Sequence, residues 1–241
     1  MRCLRTEVTS IVFVLALAGQ AAAVPILQPS SDDLWDISQG SVVTAHSPVL
    51  DWGGYYVSDI RNMFGYENVG YVEYTKTLFG DAPKGFVHWV EWETPEPITL
   101  RSFVLISGHD GEGRDANARG FSRFSLFAEG TPGNFDIQVY ELFPSNPYST
   151  TPAPPNTFIE SRSYEWLELA ANVTPVTSQR FRAEFVQYGD SVPSALGPRV
   201  HYLDGFDTFH PAVPEPSSFT IFTMLFLIGI FTYRGIARPT K

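Results

Sequence analysis

From Ser31 to Phe209 the chain alternates short apolar runs with clusters of Gly, Pro, Asn and Asp. The runs are rich in aromatic and β-branched residues, the signature of strands separated by turns. Phe86 to Glu93 predicts a strand with Val87, Trp89 and Glu91 on one face and His88, Val90 and Trp92 on the other. Thr94-Pro95-Glu96-Pro97 is expected to break it. Ile98 to Ser107 follows, and its nearly continuous apolar centre predicts burial on both faces. Further strands are expected at Arg119 to Glu129, Phe135 to Phe143, Tyr164 to Leu169, Arg180 to Tyr188 and Arg199 to Phe209. Within Arg180 to Tyr188, Phe181, Ala183 and Phe185 should point inward and Arg180, Arg182 and Glu184 outward. The Pro-rich stretch from Pro144 to Pro155 reads as an irregular or polyproline excursion. No segment shows a helical period over three turns, so the class is all-β, with a β-sandwich or jelly roll as the architecture.

The two ends follow a different pattern. Arg2 and Arg5 precede the apolar run Ile11 to Ala18, and Ala21-Ala22-Ala23 supplies a small-residue cleavage site. Residues 1–23 therefore read as a signal peptide, leaving Val24 as the mature N-terminus. Residues 210–241 form a linker, the tripeptide Pro214-Glu215-Pro216, an uncharged apolar run from Phe219 to Tyr233, and the basic residues Arg234, Arg238 and Lys241. The run has roughly 15 residues and spans about 22 Å as a helix, short of a hydrocarbon core of about 30 Å. Extending it over Ser217 and Ser218 and through Ala237, with Arg234 snorkelling, brings it close to a transmembrane helix. This order of parts resembles the PEP-CTERM sorting signal of exported Gram-negative bacterial proteins, with Pro214, Glu215 and Pro216 as its motif. The resemblance implies sorting by an exosortase-type membrane protease that cuts near the motif, transient residence in the inner membrane, and delivery to the cell surface or extracellular matrix. An ordinary C-terminal anchor with a Pro-rich stem is the other reading of the same residues.

The central segment, 24–209, carries a second resemblance. Trp89-Val90-Glu91-Trp92, a Pro-containing turn and Ile98 to Leu105 resemble an early strand pair of discoidin-type (coagulation factor 5/8 C-terminal) galactose-binding-like domains. Gly120 to Glu129, Gln179 to Phe185 and His201 to Phe206 resemble their later strands. The resemblance implies a sandwich whose loops at one end carry a carbohydrate ligand. The chain lacks the disulfide that often ties the termini of that family, which leaves the first strand, near Ser38 to Thr44, without that support.

Composition narrows the chemistry. The chain of 241 residues has 16 basic and 26 acidic residues. Such an acidic surface repels nucleic acid and anionic lipid. Its one cysteine, Cys3, lies in the signal peptide, so the mature protein is expected to have no disulfide, thiolate metal site or cysteine nucleophile. His109 to Arg119 is the most polar stretch. Asp110, Glu112, Asp115 and Asn117 could wrap a hard cation such as Ca²⁺, although Arg114 and Phe121 stand where an EF-hand needs ligands. Asp110 and Arg119 are alternatively ligand contacts, or members of a solvated loop that pairs locally. Trp52 and Tyr55, beside glycines and Asp51, form a sugar-platform candidate, or else ordinary core and turn residues. Glu91 and Glu93 share one strand face, which invites comparison with a glycosidase pair. No zinc, nucleophile-elbow or phosphate-loop motif is present. The expectation is a non-catalytic, exported surface or matrix protein whose sandwich binds extracellular polysaccharide. The alternatives are a structural envelope or biofilm component without a ligand site, and a glycan hydrolase.

Overall fold

The computed structural model describes residues 32–50, 58–65, 77–108, 119–145, 148–162, 166–189 and 197–210. All of them fall in a compact unit that ends at His210. The described residues form eight strands in it: β1 (Val42–His46), β2 (Thr77–Leu78), β3 (Val87–Gly108), β4 (Phe121–Ala128), β5 (Ile137–Leu142), β6 (Thr157–Arg162), β7 (Trp166–Gln187) and β8 (Arg199–Phe206). The only helices among the described residues are short 3-10 turns, and none is long or apolar enough to cross a membrane. The predicted signal peptide and the sorting tail with Pro214, Glu215, Pro216, Arg234, Arg238 and Lys241 lie outside the described residues.

The long strands β3 and β7 pair antiparallel over their whole length, from Val87↔Val186 to Gly108↔Trp166. Each is shared by two layers. In the first layer β1, the start of β3, the end of β7, β4 and β5 lie side by side. In the second, β2, β8, the end of β3, the start of β7 and β6 do so. The result is an antiparallel β-sandwich, as the alternation predicts.

The prolines expected to end a strand instead bend one. Pro95 and Pro97 have no N–H to give a ladder, so they are tolerated where extra residues bulge out of the pairing. Register runs from Glu93↔Arg180 to Ile98↔Ser178, leaving Thr94 to Pro97 opposite Gln179 alone. The Gln179 amide fills the bulge, donating to the carbonyls of Thr94 (3.0 Å) and Pro95 (3.2 Å). Pro175 does the same for β7, where Val173 to Pro175 stand opposite Arg101. These two corners carry the ribbon from one layer to the other. The two separate strands predicted across Thr94–Pro97 are therefore one, and so are those at Tyr164 and Arg180. Strand β6 lies within a stretch the alternation left unassigned. The closing strand ends at Phe206 rather than Phe209, because the following residues turn onto Asn172, whose side chain accepts from His210 N (2.7 Å) and donates to His210 O (3.1 Å).

Aromatic rings fill the space between the layers. Phe103 of the second layer meets Phe124 (5.8 Å) and Tyr140 (4.9 Å) of the first. Phe181, Ala183 and Phe185 are fully buried, as their alternation predicts, and so are Phe124, Leu126 and Ala128. The second half of β3 is buried on both sides: Phe103 and Leu105 enter the main core, while Val104 and Ile106 join an outer cluster with Ala170 and Tyr202.

Without a disulfide, the two ends of the domain are joined by packing and hydrogen bonds. Trp35 is fully buried against Trp92 (4.9 Å) and Phe181 (5.3 Å). Leu34 N donates to Gly205 O (2.8 Å), and the Asp33 carboxylate accepts from Trp35 N (2.9 Å) and Gly205 N (2.7 Å). A side chain at Gly205 would meet the Trp35 ring at 2.5 Å, so only glycine fits there. The segment then turns through a 3-10 turn capped by Asp36 and ended by Gly40 at φ 95°, which displaces the first strand to Val42–His46 from the predicted Ser38–Thr44.

Asp33 and Asp204 are buried together at this join. Burial pushes the Asp33 carboxyl up to about 7. Burial, then the charges of Asp33 and Asp36, hold Asp204 well above the ordinary carboxylate range. In the unfolded chain both revert towards 3.8. The folded values are the higher ones, so the contribution of this pair to stability is fully present below about pH 4 and declines as pH rises through about 7 and beyond. Asp204→Asn keeps a hydrogen-bonding group without the charge. Urea denaturation at about pH 5 and about pH 8.5 should show a smaller loss of stability across that interval in this variant than in the parent. An unchanged slope would show that the pair does not set it.

Candidate functional site

Two places in the sandwich bring polar side chains together. The first is the end where the loops emerge. Gly108, the last residue of β3, pairs with Trp166 and Arg199, the first residues of β7 and β8. Arg199 N donates to Arg119 O (3.0 Å), and Phe79 N donates to Pro198 O (3.0 Å). Backbone pairing thus gathers the bases of several loops at one end, as the resemblance to discoidin-type domains implies. The candidate ligands Trp52, Tyr55, Asp110, Glu112, Asp115 and Asn117 lie outside the described residues. Arg119 does not stand at the surface as a ligand contact would. It is 2% exposed, its Nη1 donates to Gly197 O (3.2 Å), and it lies 3.9 Å from Asp81. Its role in the described geometry is to tie the start of β4 to the turn before β8. Nearby His88 is buried between Phe79 and Phe86, with Nε2 3.0 Å from Gln187 Oε1 and its pKa lowered by burial. Among the described residues no group of three or more His, Cys, Asp or Glu side chains is placed to hold a metal ion.

The second place is the solvent face of the first layer. Alternation turns Trp89, Glu91 and Glu93 outward on β3 and Arg180, Arg182 and Glu184 outward on β7. Register then sets Glu91 opposite Arg182, Glu93 opposite Arg180 and Trp89 opposite Glu184. Opposite charges directly across a ladder attract. Arg182 donates from Nη1 to Glu91 (2.8 Å) and from Nε to Glu184 (2.9 Å). Arg180 donates from Nη1 to Glu129 (2.7 Å) and lies 3.9 Å from both Glu91 and Glu93. Each guanidinium also lies over a ring, Arg182 at 4.6 Å from the centre of Trp89 and Arg180 at 5.4 Å from that of Phe135. These contacts hold two flexible cations in fixed positions on a rigid sheet.

The β4–β5 turn supplies a wall. Asp136 accepts from Gly130 N (3.0 Å), Thr131 N (3.3 Å) and the Thr131 hydroxyl (2.9 Å), and these bonds, the hydroxyl first, lower its pKa. Gly133 adopts φ 82° at the tip. Between this turn and the ladder lies an open groove of ≈ 360 Å³. Its floor is Glu91, Arg180, Arg182 and Glu184, and its walls include Phe127, Asn134 and Phe135. The volume falls at the small end of the range for ligand pockets, about 300–1,000 Å³. Glu91 and Glu93, compared above with a glycosidase pair, both face arginines here, and Glu91 has a guanidinium at each oxygen. Alternation predicts the two faces of β3 and the outward face at the end of β7. It carried no sign that they are neighbours, or that Phe127, Asn134 and Phe135 close over them.

No protein-family model matches the chain. No curated protein matches it either. The central domain is structurally similar to solved family 32 carbohydrate-binding modules. One, from Streptococcus pneumoniae EndoD, is 15% identical and covers 73% of this chain and 99% of its own, with a TM-score of 0.45. Another, from a family 31 glycoside hydrolase of Clostridium perfringens, is 10% identical and covers 72% and 94%, with a TM-score of 0.46. A third, from C. perfringens NanJ in complex with galactose, is 7% identical and covers 72% and 97%, with a TM-score of 0.42.

The buried position of Arg119 distinguishes a structural from a ligand-contacting role. Arg119→Ala should lower unfolding stability by about 1.5–3 kcal/mol, the usual worth of a hydrogen bond from a charged group. Urea denaturation measures it; a change within about 0.5 kcal/mol, typical of surface positions, would show that Arg119 has no structural role and leave it as a ligand-contact candidate.

Proposed function

We propose that this chain is an exported, non-catalytic protein of the cell surface or extracellular matrix, whose sandwich binds carbohydrate in the groove between the β4–β5 turn and the β3–β7 charge ladder. The observation that carries the reading is the composition of that groove. Planar guanidinium and carboxylate groups, fixed by mutual pairing, line its floor beside two phenylalanines and an amide. A sugar offers hydroxyls that both donate and accept, together with apolar ring faces, and this is the combination such a surface complements. The export part rests on the sequence: a signal peptide to Ala23 and the Pro214-Glu215-Pro216 tail. The resemblance of that tail supports an exosortase-type protease as partner and passage through the inner membrane.

A second reading has an observation of its own. Both floor arginines already hold carboxylate partners, as a purely structural ladder would require. On that reading the domain is a stable acidic bead of the envelope or matrix with no ligand.

Affinity electrophoresis of the full chain, purified in mild detergent, through gels of immobilised polysaccharides separates the two. The binding reading expects retardation on at least one polysaccharide. It also expects Arg182→Gln to weaken retention about tenfold, equivalent to about 1.4 kcal/mol, with the circular dichroism spectrum unchanged. No retardation on any, with or without Ca²⁺, favours the structural reading; retention indifferent to Arg182→Gln moves the site away from the groove. For export and sorting, the intact mass of protein recovered from the cell surface should correspond to a chain that starts at Val24 and ends near Pro214–Pro216. A chain still ending at Lys241 would instead be a permanently anchored protein.

A further inference from the structure

The groove's electrostatics narrow its ligand, if the carbohydrate reading above is correct. Its two floor cations are ringed by four carboxylates: Glu91, Glu93 and Glu129 around Arg180, and Glu91 and Glu184 around Arg182. Arg123 approaches Glu184 from outside the groove, at 3.7 Å. Carboxylates thus outnumber guanidiniums in the cluster, and the chain as a whole has a net charge of −10. A second anion brought into the groove would meet Glu91 and Glu184, which are only 15% and 18% exposed and so poorly screened by water.

The hydrogen-bonding capacity left over points the same way. Arg182, which lines the groove, bonds through Nη1 and Nε, which leaves its Nη2 donors for a ligand. Arg180 bonds through Nη1, while its 3.9 Å approaches to Glu91 and Glu93 are too long for hydrogen bonds. Glu91 and Glu184 on the floor and Asn134 on the wall carry side-chain acceptor oxygens. The floor therefore offers donors and acceptors side by side. A hydroxyl uses both, whereas a carboxylate or sulfate group only accepts and leaves the acceptors facing negative charge.

We infer that the groove is selective for neutral polysaccharide and discriminates against uronic acid- or sulfate-bearing glycans, with Glu184 as the residue that enforces the discrimination. The groove is open to solvent. The carboxylate of Glu184 excludes anions through its charge while orienting Arg182 through a hydrogen bond.

The experiment is a titration of the full chain in mild detergent, by calorimetry, with neutral hexasaccharides of glucose, galactose, mannose and N-acetylglucosamine, and with hexasaccharides of galacturonate and mannuronate. At least one neutral oligomer should bind, and the uronates should bind at least about tenfold more weakly, equivalent to about 1.4 kcal/mol. Raising salt from about 50 to about 500 mM should narrow that gap by screening the repulsion. Glu184→Gln, which keeps shape and hydrogen bonding, should narrow it too, and Glu91→Gln serves as the second variant should the first not fold. Uronates that bind as tightly as neutral sugars would overturn the inference while leaving carbohydrate binding intact. Discrimination that survives both variants and high salt would also overturn it, by placing the selectivity elsewhere. Absence of binding to every oligomer would overturn the carbohydrate reading itself.

Discussion

The structure depends on one antiparallel ribbon. Strands β3 and β7 are paired from end to end, and every other strand except β2 and β5 attaches directly to one of them. A ribbon of that length cannot serve a small domain while straight, because it must bury apolar residues against a second layer. Bending it in the middle solves this, and the bend needs residues that leave the ladder without stranding buried N–H groups. Prolines meet that need, since they have none to strand. Pro95, Pro97 and Pro175 mark the corners, and the amide of Gln179 satisfies the carbonyls that the first corner exposes.

The same ribbon produces both the core and the groove. Its inward side chains supply Trp92, Phe103, Phe181 and Phe185 to a single aromatic core. Its outward side chains in the first layer supply the ladder of Glu91, Arg182 and Glu184. Rigidity on one face and fixed polar groups on the other are therefore one property of the sheet. A surface ion pair alone contributes little to stability, about 0–1 kcal/mol. The ladder's significance lies in holding donors and acceptors at defined positions, which a flexible loop achieves less well.

The join between the domain's ends shows a comparable economy. A disulfide within the chain would need two cysteines, and the sequence has one, Cys3. Trp35 packed on Gly205, a backbone bond from Leu34, and a buried pair of aspartates occupy that position instead. The arrangement carries a sensitivity to pH that a disulfide would not, because two buried carboxyl groups in contact resist ionising together.

What the sequence determined by itself was local. Alternation named the all-β class, the inward triplet Phe181-Ala183-Phe185 and the outward arginines, because side-chain direction in a strand repeats every second residue whatever the neighbouring strands are. It misjudged Thr94–Pro97 as a strand end, since proline's local preference is for a break and only a paired partner turns that break into a bulge. It left Arg119 between a ligand contact and a locally paired loop residue, because nothing local reveals that its side chain is buried beside Gly197. The groove was beyond its reach for the same reason. Glu91 and Arg182 are 91 residues apart. Their meeting is decided by register between strands, a non-local quantity that exists only once the ribbon has paired and the β4–β5 turn has folded over its face.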